Sequence, residues 1–168
     1  MEDNVYHTIE SSNFWGLRVD QLRRRGFSPL TAIDIGSNVG QWYLDFKNIF
    51  PLSKVLSVEG NPSIEPQLKQ VNPNYMITLM GKENNPDGVD FYINPDSDND
   101  VGSSIYQETT NWGELSKPTK IPMITLDSLG KQFDWVKMDV QGAELDVLIG
   151  GINTIKKSVI VELELSLV

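Results

Sequence analysis

TAIDIGSNVGQWYLDFKNIF, Thr31 to Phe50, is the stretch that decides the fold. TAIDI is a short, mostly apolar run that stops at Gly36, and from Gln41 to Phe50 the residues Trp42, Leu44, Phe46 and Ile49 recur at spacings compatible with a helix. That is a strand, a tight turn and a helix. The next segment repeats the pattern. Lys54 to Val58 (KVLSV) is β-branched and apolar and ends at Glu59-Gly60, and Asn61-Pro62 opens a helix from Ser63 to Gln70. Tyr75 to Met80 (YMITLM) gives the strand signal again before Gly81. Two strand-helix units followed by a third strand favour a parallel sheet covered by helices, an α/β, Rossmann-like, doubly wound architecture.

Upstream, Leu17 to Arg25 reads as a short helix whose basic end, Arg23 to Arg25, suits a helix C-terminus, with Gly26 as its stop. Downstream the pattern loosens over residues 82–120: NNPDG reads as a turn, VDFYI as a strand and PDSDND as an acidic loop. Regular structure returns at Ile121 to Leu126, at Phe133 to Val140 (strand), at Ala143 to Ile149 (helix, stopped by Gly150-Gly151) and at Ser158 to Leu167 (strand). The expectation is one domain over residues 1–168: a helical lead-in (1–25), a first half carrying the glycine loop (26–81), an excursion (82–120) and a strand-helix-strand unit (121–168).

The chain has 168 residues, a net charge of −9 and a pI near 4.5, a balance that opposes non-specific attachment to nucleic acid or anionic membranes. Cysteine is absent and His7 is the sole histidine, so disulfides, thiolate sites, histidine metal clusters and Ser-His-Asp triads lack their parts. MEDNVYHTIE has no basic flank leading into an apolar run, and no segment approaches the length of a membrane span. The expectation is a cytoplasmic protein with neither a nucleic-acid nor a membrane partner.

Within the opening stretch, Gly36 and Gly40 let the chain turn sharply and let a ligand approach the backbone. The spacing is GxxxG, with Asn38 inside it, whereas a dinucleotide fingerprint is GxGxxG, so a nicotinamide-dependent oxidoreductase is the weaker reading. A cofactor without phosphates, such as S-adenosylmethionine, needs a close-approach loop and an acid at the end of the next strand for its ribose hydroxyls. Glu59 occupies that place, and its alternative role is to help cap the following helix with Asn61.

A second constellation lies in WVKMDVQGAELDVLIGG, Trp135 to Gly151. Alternation places Trp135, Lys137 and Asp139 on one face of the strand and Val136, Met138 and Val140 on the other. In a doubly wound sheet the ligand crevice lies beyond the carboxyl ends of the strands, so Asp139 emerges there while Lys137, one step deeper, requires an acidic partner. Asp139 is then a candidate general base or cation ligand, set against the plainer role of capping the helix that starts near Ala143. In VIVELELSLV, Glu162 and Glu164 share a face, and at least one belongs near Asp139.

DIGSNVGQW, SVEGNP, GSSIY, ITLDSL, WVKMDVQGAELDVLIGG and VELELS, in this order, resemble the FkbM-type methyltransferases, S-adenosylmethionine-dependent O-methyltransferases acting largely on sugars and secondary metabolites. The resemblance runs from about Gly26 to the end and is most specific in KMDVQGAELDVL. It implies the class I methyltransferase fold, with Asp34, Gly36, Ser37, Asn38 and Gly40 cradling the cofactor, Glu59 on its ribose, and Ser103 and Ser104 near its adenine. It also implies Asp139 beside the transferred methyl with Lys137 as companion, Glu164 rather than Glu162 as the further acid, and a small hydroxyl acceptor. Asp127 in ITLDSL also matches, and a helix cap explains it.

Such enzymes normally continue into a last helix and an antiparallel hairpin, and here the apolar strand ends at Val168. The expectation is a fragment, or a homo-oligomer formed through the exposed C-terminal strand. A binding or assembly domain on the same fold is the non-enzymatic alternative.

Overall fold

A computed structural model describes residues 11–93, 102–107 and 118–165, with side chains from Trp15 onward. The elements are α1 (Ser11–Arg24), β1 (Thr31–Ile35), α2 (Gln41–Ile49), β2 (Lys54–Glu59), α3 (Glu65–Val71), β3 (Tyr75–Ile77), β4 (Leu79–Met80), β5 (Asn85–Phe91), β6 (Thr119–Ile124), β7 (Trp135–Met138), α4 (Glu144–Gly150), α5 (Ile152–Ile155) and β8 (Ile160–Leu163). Short 3-10 turns precede α3 and follow β6.

The main sheet has the order β3-β2-β1-β7-β8, and every pairing in it is parallel. Parallel neighbours need crossovers, and both faces of such a sheet must be covered, which explains the buried apolar runs in β1, β2 and β7. One face carries Ile33, Ile35, Leu56, Val58, Val136 and Met138 against Val147 of α4 and Leu126. The other carries Ala32, Val55 and Trp135 against Val19 of α1 and Phe46 of α2, with Phe50 beside them. Trp42 stacks on Phe46 with ring centroids 4.5 Å apart, and Phe46 meets Trp135 edge-on at 5.4 Å.

Successive strands run outward from β1 in one direction as β2 and β3, and in the other as β7 and β8. The reversal falls between β1 and β7, so a crevice opens beyond their carboxyl ends.

From the excursion, β5 joins β4 and β6 in a second sheet of order β4-β6-β5, with its own cluster of Leu79, Phe91, Ile121 and Met123. Two sequence expectations are modified here. YMITLM is two strands rather than one: at Thr78 the chain leaves β2 for the small sheet, its N–H bonding Glu59 O at 2.9 Å and its hydroxyl Pro122 O at 2.9 Å. NNPDG is not a turn: from Asn85 onward it lies within β5, whose register shifts between Asn85 and Val89. Gly88, at φ 87°, makes that bulge possible, since a side chain there would crowd the Ile121 backbone at 3.1 Å. PDSDND falls outside the described residues. No described helix is long and apolar enough to cross a membrane.

Candidate active site

The turn after β1 alternates left-handed residues: Gly36 at φ 76°, Asn38 at 47° and Gly40 at 89°. Gly36 is required by the fold itself. A Cβ there would lie 1.7 Å from the Asp139 carbonyl oxygen, so only glycine lets the two crevice loops meet. Glu59 secures the turn from the end of β2: its Oε2 accepts the Asn38 N–H at 2.8 Å and its Oε1 the Asn61 N–H at 2.7 Å. Burial pushes this carboxyl above its usual range, and these backbone donors oppose the rise. Asn61 in turn caps the 3-10 turn, accepting the Ser63 N–H at 3.0 Å. The cofactor-type and capping roles of Glu59 are thus compatible, because the backbone donors of Asn38, Gly60 and Asn61 do not fill the carboxylate's four acceptor sites.

Across the sheet, Asp34 of β1, Lys137 of β7 and Glu162 of β8 are register neighbours on one face. The charge of Lys137 therefore meets its partner inside the sheet layer: Nζ is 3.0 Å from Asp34 Oδ1 and 3.8 Å from Asp139 Oδ2, and it donates to Gly36 O at 3.1 Å. Burial pulls the Lys137 pKa down, but Asp34 and Asp139 outweigh it and hold the ammonium above its ordinary value. Asp34 is fully buried and does not line the cleft; its role here is to neutralise Lys137. Ser37 is also buried behind the cleft, and Gly40 packs on Leu68 and Val71 of α3.

Asp139 follows β7 into the crevice. Its N–H bonds Ile35 O at 2.9 Å, its Oδ1 accepts Gln141 Nε2 at 2.6 Å, and its side chain keeps 24% of its surface exposed. Glu164 comes off the end of β8, tied by its N–H to Met138 O at 3.0 Å, and stands beside Asp139. The Asp139 charge, helped by burial, pushes the Glu164 carboxyl above its usual range. Glu162 faces away from the crevice and accepts the indole N–H groups of Trp15, Trp42 and Trp135. Glu144, at the start of α4, accepts the Val140 and Gly142 N–H groups at 3.1 and 3.2 Å and so shapes the turn.

These elements surround one cleft of about 680 Å³ counted out to solvent, within the ~300–1,000 Å³ of small-molecule sites. Gly36, Asn38, Glu59, Gly60, Asp139 and Gln141 supply its polar side, and Leu79, Met80, Phe91 and Ile105 its apolar wall. Ser103 lines it, whereas Ser104 is buried beside it, donating to Gln141 O at 2.8 Å and accepting the Tyr106 N–H at 3.1 Å. Among the described residues, no three His, Cys, Asp or Glu side chains are grouped to hold a metal ion.

Asp127 accepts from the backbone N–H of Asn153 (3.1 Å) and Thr154 (2.8 Å), and so caps α5, a helix distant in sequence. Sequence reasoning missed two features of the cleft. Phe91 and Ile105 of the apolar wall come from the excursion, whose strands it read only in part, and stand beside Leu79 and Met80 of β4. Gln141, which the reading used only as a turn residue, has its amide on Asp139; a left-handed glutamine has no composition signature.

No curated protein matches the chain. A crystal structure of a methyltransferase FkbM from Methylobacillus flagellatus KT is similar at 15% identity and a TM-score of 0.49, covering 82% of this chain and 34% of that one. The chain thus spans about a third of the length of that protein. The family model for the methyltransferase FkbM domain matches residues 34–167, a span that takes in the glycine turn, Glu59, Asp139 and Glu164, and the chain belongs to the FkbM methyltransferase family.

Proposed function

We propose that the chain is an S-adenosylmethionine-dependent O-methyltransferase acting on a hydroxyl of a small sugar or secondary-metabolite acceptor. The observation that carries this reading is the placing of the glycine turn, Glu59 and Asp139 around one cleft in an FkbM family member. The residues present suit the cofactor. Glu59 has acceptor capacity left for a ribose hydroxyl, Gly36 and Asn38 line the polar side, and the wall of Leu79, Met80, Phe91 and Ile105 suits a flat base. When bound, S-adenosylmethionine supplies an activated methyl with its own leaving group.

The protein's share of the chemistry is positioning and proton management. Held in the cleft beside the cofactor, the acceptor hydroxyl would lose its proton to Asp139 as its oxygen is methylated. Lys137 keeps Asp139 in place from the sheet side, and Asp34 balances the lysine. Glu164 is the adjacent acid that can relay the proton outward.

The test is titration with S-adenosylmethionine, followed by transfer of a labelled methyl to a panel of neutral glycosides and polyols. Binding and transfer support the reading. Absence of binding overturns it, and binding without transfer to any acceptor favours a non-catalytic binding domain. Asp139→Asn is expected to bind the cofactor within about 3-fold of wild type while lowering turnover at least ~100-fold.

A further inference from the structure

Among the described residues, Asn38 and Gln141 are the non-glycine residues with positive φ, at 47° and 51°. Asparagine enters that region at little cost, and Asn38 is held there by Glu59. Glutamine has no comparable habit. The next residue, Gly142, is also left-handed, at φ 96°, so the turn has its glycine in the second position and a strained side chain in the first. Strain of this kind persists where the surroundings over-determine it, and it marks functional sites.

Two contacts over-determine Gln141. Its side-chain amide donates to Asp139 Oδ1 at 2.6 Å, short enough for a charge-assisted bond, and its carbonyl accepts from Ser104 Oγ at 2.8 Å. Ser104 in turn exchanges both backbone hydrogen bonds with Tyr92, at 2.8 and 3.1 Å. Gln141 is therefore the joint between the carboxylate and the crevice wall that carries Ser103 and Ile105. The backbone of Asp139 is already fixed by Ile35 and by the close approach of Gly36. What remains to be set is the rotation of its carboxylate, for which Lys137, at 3.8 Å, is a looser partner than Gln141.

We propose that Gln141 is a positioning residue for methyl transfer: its left-handed turn aims its amide at Asp139 and holds that carboxylate in one orientation against the crevice wall. The inference rests on Asp139 being the group that takes the acceptor's proton. A residue that only shapes the turn would behave differently, because glycine or asparagine fits a left-handed position better than glutamine.

Gln141→Gly and Gln141→Asn separate the two roles in the full chain. Both relieve the backbone, and both remove the contact, asparagine being one methylene short. The expected result is a melting temperature within a few degrees of wild type, the relieved backbone offsetting the lost bond, and S-adenosylmethionine affinity within about 3-fold, with kcat lower by roughly 100-fold and KM little changed, the scale of a small misplacement at the reacting centre. Turnover of Gln141→Gly at the wild-type rate overturns the proposal.

A second measurement needs no acceptor. The side-chain amide resonance of Gln141 is expected to be shifted and protected from exchange in wild type and to lose both properties in Asp139→Ala. An amide unaffected by Asp139→Ala overturns the positioning contact. An amide that responds, in a protein that methylates no acceptor, supports the contact and refutes the methyl-transfer reading instead.

Discussion

Replacing Glu162 tests how the helical layer is held to the sheet. Its Oε1 accepts Trp15 Nε1 at 2.8 Å, and its Oε2 accepts Trp135 Nε1 at 2.9 Å and Trp42 Nε1 at 3.3 Å. The three indoles come from α1, β7 and α2, so one carboxylate on β8 joins four elements. Glu162→Ala leaves these N–H groups facing an apolar cluster. A hydrogen bond to a charged acceptor contributes ~1.5–3 kcal/mol, and two of the three are short enough to count in full. Burial pushes the Glu162 carboxyl above its usual range despite the indoles, so part of that gain is offset by the cost of holding a charge there. The net loss expected for Glu162→Ala is about 3–4 kcal/mol. At ~2–4 °C per kcal/mol for a chain of this size, the melting temperature falls by roughly 6–16 °C.

Glu162→Gln keeps the shape and one acceptor oxygen but turns an NH₂ towards an indole N–H, and it is expected to lose about 1–3 kcal/mol. Thermal melts followed by circular dichroism give the stabilities, and tryptophan emission, shifted to the red in the alanine variant, reports the opening of the cluster. A Glu162→Ala melt indistinguishable from wild type, or a Glu162→Gln protein more stable than wild type, would refute the argument, because either result means that charge burial outweighs the indole bonds.

Other substitutions probe the crevice and its supports. Lys137→Met strands the fully buried Asp34 and is expected to cost about 3–5 kcal/mol by denaturant unfolding; Lys137→Met with Asp34→Asn should recover most of this, and strict additivity would contradict the pairing. Glu164 has a folded-state pKa raised by Asp139, so its contribution to stability is present below the ordinary glutamate pKa and is lost as pH rises through the raised value. Glu164→Gln should therefore melt higher than wild type at neutral pH and no higher in acid. Asp127 behaves in the opposite sense. Slight burial works against it, but donors from Asn153 and Thr154 hold it below 3.8, so its contribution is present above that value and is lost on acidification. Asp127→Ala is expected to cost about 0.5–2 kcal/mol at neutral pH, measured by the same unfolding, and much less near pH 2.

The polar cradle of the site was legible because it depends on local signals. A strand that stops at a glycine, an acid at the end of the next strand and an aspartate leaving an apolar strand are each visible in a few neighbouring residues, and all three meet at the switch point. Alternation along β7 also assigned Lys137 and Asp139 to one side. The identity of the lysine's partner was not legible. Asp34 lies 103 residues earlier and is brought opposite Lys137 by the pairing of β1 with β7, a register that no local pattern states. The same holds for Glu162, which shares its face with Lys137 but is turned to the tryptophans because α1 and α2 cover that side.

The order of apolar strands and helices was enough to determine a parallel, doubly wound sheet, because burial of both faces and the need for crossovers admit few other arrangements of this pattern. Tertiary structure alone decided which groups touch. It split Tyr75 to Met80 between two sheets, folded NNPDG into a bulged strand, and bent Gln141 into a left-handed turn whose amide reaches Asp139. The physical reason is one of range. Periodicity and turn chemistry act over a few residues and are written locally, whereas ion pairs, close glycine contacts and strained turns are settled by atoms that come together only when distant strands align.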